Sequence, residues 1–223
     1  MLEQNIALVE QRIGRACARA RRRREEVTLI AVTKVFPAST IQQAWAEGLR
    51  EFGENYVQEF EGKAAGVRSL EGARFHFIGH LQSNKTRRAA ELFDVIQTID
   101  SAKIARRLDE AAAESGRSLD AMIEVKLSAE QAKHGASPEE LGPLVEAVRA
   151  LPHLRLSGLI TMPPWSEDPE QSRPYFARLR ELALQHELPD LSMGMSNDFE
   201  VAIEEGASHI RVGTALFGKR RKP

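Results

Sequence analysis

The sequence contains a single cysteine, Cys17, so it offers neither an intramolecular disulfide nor a cysteine-rich zinc site. It also lacks any long apolar run, and its N-terminal segment has no uninterrupted apolar stretch of the kind that signal peptides contain. Charge of one sign is not in excess, because 32 acidic residues balance 31 basic ones. These absences argue against a membrane protein and against a nucleic-acid partner, and they are typical of a cytoplasmic protein.

What the sequence does contain is a regular alternation of short apolar segments and amphipathic segments. Eight apolar segments span residues 27–34, 49–55, 74–81, 92–100, 119–128, 154–162, 188–196 and 209–218. A strand followed by a helix, repeated eight times, predicts a parallel sheet that closes into a TIM-type (β/α)8 barrel. A doubly wound open sheet remains the alternative. The length of 223 residues predicts a single domain, residues 1–223.

An additional amphipathic helix is predicted before the first strand, over residues 2–24. Leu2, Ile6, Val9 and Ile13 follow one another at helical spacing and form one apolar stripe. The arginine cluster at residues 19–24 is either a solvated helix end or a nucleic-acid patch. The balanced net charge favours the helix end.

Two other clusters have both a functional and an ordinary interpretation. His76 and His80 alternate on one strand face like a pair of metal ligands, but no third ligand is apparent nearby, so we expect no metal. Lys85, Arg87 and Arg88 follow the third strand and could bind a second phosphate or an acidic surface. A solvated loop is the ordinary interpretation of these three cations.

The polar residues of greatest interest lie where strands end. In a barrel of this type the functional groups sit at the carboxyl ends of the strands. Residues at such positions are Lys34, Asn55, Ser196, Arg211, Gly213 and Thr214. The sequence therefore predicts that these six residues meet at one mouth of the barrel.

Lys34 is the candidate nucleophile. It follows the apolar segment LIAVT, and a desolvated position favours the neutral amine. A neutral amine is the form that attacks an aldehyde to give an imine. A lysine that merely extends to solvent at the rim is the alternative.

The last two predicted strands supply a candidate anion site. Ser196 begins the sequence SND and is interpreted as the N-cap of the following helix, whose amide groups could bind phosphate. Gly213 would let the backbone approach an anion, and Thr214 adds a hydroxyl. Arg211 should share a face with Gly213 and needs an acceptor, either a carboxylate or a ring nitrogen of a cofactor. Ordinary turn chemistry is the alternative for the two loops.

Six segments together resemble one known family over nearly the whole chain: AVTK, FGENYVQE, FHFIGHLQSNKTR, RPYFARLREL, LSMGMSNDFEVAI and IRVGTALFG. The chain resembles the YggS/PROSC-type pyridoxal phosphate homeostasis proteins, which are related to the N-terminal barrel of alanine racemases. The resemblance implies that Lys34 holds pyridoxal 5'-phosphate (PLP) as a Schiff base. It also implies that Arg211 faces the pyridine nitrogen, that Ser196, Gly213 and Thr214 bind the phosphate, and that Asn55 lies beside the ring.

The sequence departs from the family pattern at two positions. Lys126 stands in the fifth strand segment where the family pattern has an asparagine, so the polar contacts of the ring there are in question. Met162 stands where a smaller or β-branched residue is common, which indicates repacking rather than new chemistry.

Two functions follow from this resemblance, a PLP buffer or carrier and a PLP-dependent racemase of low activity. A two-base racemase needs an acid or base on each face of the substrate carbon. After the eighth strand the sequence continues only as LFGKRRKP, so no C-terminal β domain is expected to supply a second base, and Tyr56 is the single conceivable substitute. We therefore expect a monomeric binding protein rather than an enzyme, whose partners are PLP and PLP-dependent apo-enzymes.

Overall fold

Eight parallel strands close into a barrel in chain order. The computed structural model describes residues 1–128 and 134–218. The strands are β1 (Thr28–Val32), β2 (Glu51–Glu54), β3 (Arg74–Phe77), β4 (Val95–Ile99), β5 (Leu119–Glu124), β6 (Leu154–Ile160), β7 (Asp190–Ser192) and β8 (His209–Val212). Each lies within one of the eight predicted segments, and closure is completed by the pairing of β1 with β8. The predicted (β/α)8 barrel is confirmed, and the open-sheet alternative is wrong.

Helices surround the barrel on its outer face. They are α1 (Leu2–Arg19), α2 (Ala38–Ala46), α3 (Val57–Val67), α4 (Thr86–Leu92), α5 (Ala102–Glu114), α6 (Pro138–Arg149), α7 (Arg173–Gln185), α8 (Phe199–Glu204) and α9 (Thr214–Phe217). The apolar face of each long helix packs on outward-facing strand residues such as Leu29, Ala31 and Ile210. Among the described residues no helix combines the length and the apolar character needed to cross a bilayer.

Helix α1 is shorter than predicted. It ends at Arg19 because Arg21 has a positive φ of 54°, which takes the chain out of the helical conformation. The cluster beyond this point is solvated only in part, because Arg21 and Arg23 are exposed whereas Arg22 and Arg24 are partly buried. Arg22 donates to the carbonyl oxygens of Ile203 and Ala207 at 3.0 and 2.8 Å. Arg24 pairs with Glu10 at 2.7 Å, so the cluster fastens α1 to the barrel.

Candidate cofactor-binding site

A cavity of about 650 Å³ opens at the carboxyl ends of the strands. Its volume is typical of small-molecule sites. All six residues singled out in the sequence contribute to its lining: Lys34, Asn55, Ser196, Arg211, Gly213 and Thr214. The cavity therefore lies where the chain leaves β1, β2, β7 and β8.

The loop that carries Lys34 is a tight turn directly after β1. The amide of Phe36 donates to the carbonyl oxygen of Thr33 at 3.0 Å and closes the turn. Between them Val35 has a φ of 65°, a left-handed conformation that is strained for a β-branched residue. The carboxylate of Glu59 accepts a hydrogen bond from the Val35 amide at 2.5 Å. A charged group on α3 therefore holds the strained peptide next to Lys34 in place.

A buried ion pair lies behind this turn. Lys63 on α3 donates to both carboxylate oxygens of Glu54, at 2.9 and 3.1 Å, and to the carbonyl oxygen of Thr33 at 3.0 Å. It also contacts Glu59. Burial raises the pKa of Glu54, and the charge of Lys63 and the hydroxyl of Thr33 oppose that rise. This network was not predicted, since Glu54 lies near the end of the second strand segment and Lys63 lies in the polar helical stretch QEFEGK.

Arg211 is buried, with 3% of its surface exposed, and its guanidinium lines the cavity. One terminal nitrogen donates to the hydroxyl of Ser192 at 2.8 Å and the other to the carbonyl oxygen of Thr161 at 2.9 Å. Within the described ranges no carboxylate lies within ion-pair distance of it. Burial lowers the pKa of Arg211 to about 10, while the charges of Asp198 and Glu124 oppose the shift. The guanidinium is therefore still protonated at neutral pH.

A chain of hydrogen bonds runs from Arg211 across the interior of the barrel. The Ser192 hydroxyl donates to the Gln97 carbonyl oxygen at 2.7 Å, and the Gln97 amide nitrogen lies 3.0 Å from Nδ1 of His76. Nε2 of His76 lies 2.5 Å from the Glu51 carboxylate. Since a carboxylate only accepts, His76 carries its proton on Nε2. Sequence reasoning missed Ser192 and Gln97, whose signal was a polar side chain inside a buried strand.

Ser196 links the loops after β7 and β8, the candidate anion site, but not in the way predicted. Helix α8 begins at Phe199 with Asp198 at the N-cap position, so the assignment of Ser196 as N-cap is wrong. The carboxylate of Asp198 accepts from the Met195 amide at 2.7 Å and shapes this turn. The Ser196 hydroxyl instead accepts hydrogen bonds from the amides of Gly213 and Ala215, at 3.3 and 3.2 Å. It thereby fixes the loop after β7 to the start of α9.

Asn55 closes the opposite side of the cavity. Its Oδ1 atom is buried and has no hydrogen-bond partner among the described residues. An unpaired buried oxygen is costly unless a ligand or water supplies a donor. The backbone here is packed against the loop after β3, because a Cβ added at Gly79 would lie 2.1 Å from the Asn55 carbonyl oxygen.

A second, smaller cavity of about 210 Å³ adjoins the first and shares Asn55, Ile78 and Met162 with it. Lys126, the departure from the family pattern, lines this second cavity. Glu124 lies there as well, and burial raises its pKa to about 7, with Arg211 opposing the rise and Asp100 adding to it. The sequence analysis had not singled out Glu124.

The remaining clusters do not join the site. His76 is buried inside the barrel, whereas His80 lies at the mouth beside Asp100, so the two histidines do not form a metal pair. Arg88 pairs with Glu61 and Glu91. Arg87 lies 3.6 Å from Glu114, and Lys85 ends a short 3₁₀ turn. Tyr56 is 58% exposed before α3 and lines neither cavity.

Comparison with known proteins agrees with this geometry. Residues 8–221 match the family described as alanine racemase, N-terminal domain. A Pseudomonas aeruginosa protein named pyridoxal phosphate homeostasis protein is 47% identical over 221 residues, which is 98% of this chain and 96% of the relative.

Solved structures give the same result. The structure of PipY from Synechococcus elongatus with PLP bound is 38% identical, has a TM-score of 0.85, and is matched over 98% of this chain and 100% of its own. Alanine racemase from Corynebacterium glutamicum has a TM-score of 0.73 at 20% identity, and 60% of that chain is covered. The latter likeness shows the barrel fold alone.

Proposed function

Because the chain belongs to the alanine racemase N-terminal-domain family, and within it to the pyridoxal phosphate homeostasis proteins, we propose that it binds PLP reversibly through Lys34. Its role is intracellular PLP homeostasis, as a buffer and carrier in the cytoplasm. The observation that carries the proposal is the meeting of an amine, a turn containing Gly213 and Thr214, and a buried guanidinium in one cavity. The PLP-bound structure of PipY supports the choice of ligand.

The residues of the cavity fit this cofactor. The unpaired Oδ1 of Asn55 offers an acceptor at the ring side. Gly213 lines the cavity and has no side chain, so an anion can approach its backbone there. Ser196 positions the two turns by accepting from the amides of Gly213 and Ala215, and the turn after β8 would present the Thr214 hydroxyl to a phosphate. These groups would bind the two polar ends of a flat, phosphorylated ring.

Lys34 and Arg211 then have distinct tasks. PLP supplies an aldehyde, with which a primary amine such as that of Lys34 can form a Schiff base. Arg211 can only donate hydrogen bonds, so a ring nitrogen that faces it must accept and stay unprotonated. An unprotonated ring withdraws electrons weakly, which favours holding the cofactor over carbanion chemistry.

The cavity lining also favours a carrier over a racemase. Among the described lining residues the ionisable groups are Lys34, Asp198 and Arg211. The Asp198 carboxylate already accepts from Ser172 and Met195, which leaves Lys34 as the candidate base. A two-base reaction needs a second group on the other face of the substrate. Trp165 at the rim is 75% exposed, so the cavity opens toward solvent, which suits release.

A visible spectrum of the purified chain with PLP tests the attachment. We expect an absorption band from the imine. Reduction of the imine by borohydride should leave the cofactor attached to the peptide that contains Lys34. Lys34→Ala should lose the band, whereas Lys103→Ala, which changes an exposed lysine on α5, should keep it. A Lys34→Ala protein with an unchanged band would refute the attachment.

Two further measurements separate the functions. A carrier that is supplied with PLP bound should restore activity to a PLP-dependent apo-enzyme. Light scattering should show that this carrier is a monomer. A racemase should instead exchange the α-hydrogen of alanine with deuterium at enzyme-like rates, and such exchange would overturn the carrier role.

A further inference from the structure

Three potential metal ligands meet at the barrel mouth beside the second cavity. They are His80, Asp100 and His134, and their ligand atoms all lie within 4.8 Å of one another. His80 follows β3, Asp100 follows β4, and His134 lies in the connection after β5. Because consecutive parallel strands end at the same edge, three neighbouring loops bring these side chains together.

We propose that His80, Asp100 and His134 form a binding site for a divalent transition-metal ion of the Zn²⁺ class. Two imidazoles and one carboxylate are a common ligand set for zinc, and they leave a fourth position open. This site is independent of the role proposed for Lys34.

The distances between ligand atoms are close to those that a metal requires. Nδ1 of His80 lies 3.5 Å from Oδ2 of Asp100. Bonds of about 2.0–2.1 Å in a tetrahedral site place ligand atoms roughly 3.4 Å apart, so this pair is already in position. A simple ion pair explains the approach of two of these groups, but not the presence of the third.

His134 must turn to complete the site. Its ring is stacked on that of His80, with centroids 3.5 Å apart and an angle of 11° between the planes. The lone pairs of stacked imidazoles run side by side and do not converge on one point. His134 is exposed, so its ring can rotate out of the stack. Metal binding should therefore exchange the ring stack for two metal–nitrogen bonds.

Charged groups of both signs lie near the three ligands. The buried Glu124 lines the same cavity and interacts electrostatically with Asp100, but its raised pKa of about 7 leaves it only partly ionised at neutral pH. Burial and the neighbouring His134 lower the pKa of His80, and the charge of Asp100 opposes the shift. Lys126 lines the same cavity and acts against a cation. The site therefore depends on the geometry of its three ligands rather than on a surplus of negative charge.

Titration calorimetry with ZnCl₂ on the tag-free, chelator-treated full chain tests the site. We expect one ion per chain, and His80→Ala and Asp100→Asn should each weaken binding at least about tenfold. His153→Ala is the matched control, because Nδ1 of His153 lies 3.5 Å from Asp109 in a similar pair that has no second histidine. It should bind Zn²⁺ like the parent chain.

A second readout protects the test against misfolding. Co²⁺ should give visible ligand-field bands with the parent chain and not with His134→Ala, whose substituted side chain is exposed and whose circular dichroism should be unchanged. Lys34→Ala should keep the metal, so failure of the PLP proposal is distinguishable from failure here. Absence of Zn²⁺ binding, or binding that all variants retain, would overturn the site.

Discussion

Replacing Lys63 with methionine should leave the carboxylate of Glu54 unpaired inside the protein. Lys63 is 8% exposed and Glu54 is fully buried, and the lysine supplies two of the hydrogen bonds of that carboxylate. Methionine has a similar length but neither charge nor donor. The substitution therefore removes the positive charge that compensates the buried carboxylate of Glu54, and it preserves most of the side-chain volume at position 63.

The expected loss of stability is large. Removal of one partner from a buried ion pair typically costs about 3–5 kcal/mol. The carboxyl group can limit that cost by taking up a proton, and at pH 7 protonation of a group with an ordinary glutamate pKa costs about 3–4 kcal/mol. We therefore expect Lys63→Met to lower the free energy of unfolding by about 3 kcal/mol at pH 7.

The stability of Lys63→Met should depend on pH. Burial already raises the pKa of Glu54, and loss of Lys63 should raise it further. A folded state with a raised pKa keeps a proton that the unfolded state releases, so the variant loses stability as the pH rises and regains it as the pH falls. Between pH 7 and pH 5 its deficit should shrink by up to about 1.4 kcal/mol for each pH unit.

Urea unfolding, followed by circular dichroism at pH 5, 6, 7 and 8, measures this deficit. The double variant Glu54→Gln with Lys63→Met has no buried charge and should recover at least about half of the loss at pH 7. PLP binding should weaken in Lys63→Met, because Lys63 also contacts Glu59, which holds the Val35 amide. A deficit below about 1 kcal/mol, or one that does not change with pH, would refute the reasoning.

Three further outcomes are expected. Val35→Gly should relieve the strain of a φ of 65° and raise the free energy of unfolding by about 1 kcal/mol, while the looser turn weakens PLP binding in an absorbance titration. Gly79→Ala should lower the free energy of unfolding by more than about 3 kcal/mol and abolish PLP binding, because a Cβ would lie 2.1 Å from the Asn55 carbonyl oxygen. The control Gly14→Ala, where a Cβ would have nothing within 4 Å, should leave stability unchanged or raise it. Burial lowers the pKa of His209 to about 4 from 6.5, so stability should fall as the pH drops through that interval, and His209→Gln should reduce that fall in acid titrations.

The architecture was predictable because it depends on local patterns. Each apolar segment, such as the one around β1, is bounded by polar turns, and the repeat of eight predicted closure. The six cavity residues were predictable for a related reason. Once parallel strands are assumed, residues such as Lys34 and Arg211 at strand ends must meet at one edge, whatever their separation in the chain.

Contacts that depend on register could not be predicted. Ser192 and Gln97 are 95 residues apart, and they meet only because both point into the barrel. The hydroxyl of Ser196 was assigned to the wrong amides, because its partners at Gly213 and Ala215 belong to another strand's turn. The start of a six-residue helix such as α8 is also set by local turn geometry rather than by periodicity.

The chain of hydrogen bonds inside the barrel, from Arg211 to Glu51, has a fixed direction of donation. A guanidinium at one end can only give hydrogens and a carboxylate at the other can only receive them, so every intervening group must pass its hydrogen in the same direction. An acceptor in place of Arg211 would therefore require the Ser192 hydroxyl and the Gln97 amide to reverse and His76 to carry a hydrogen on Nδ1 as well, because Nε2 must still donate to Glu51. A substitution at Arg211 should therefore be tolerated only with matching substitutions at Ser192, Gln97 and His76. The hydrogen bonding of the cavity thus depends on residues that do not line it.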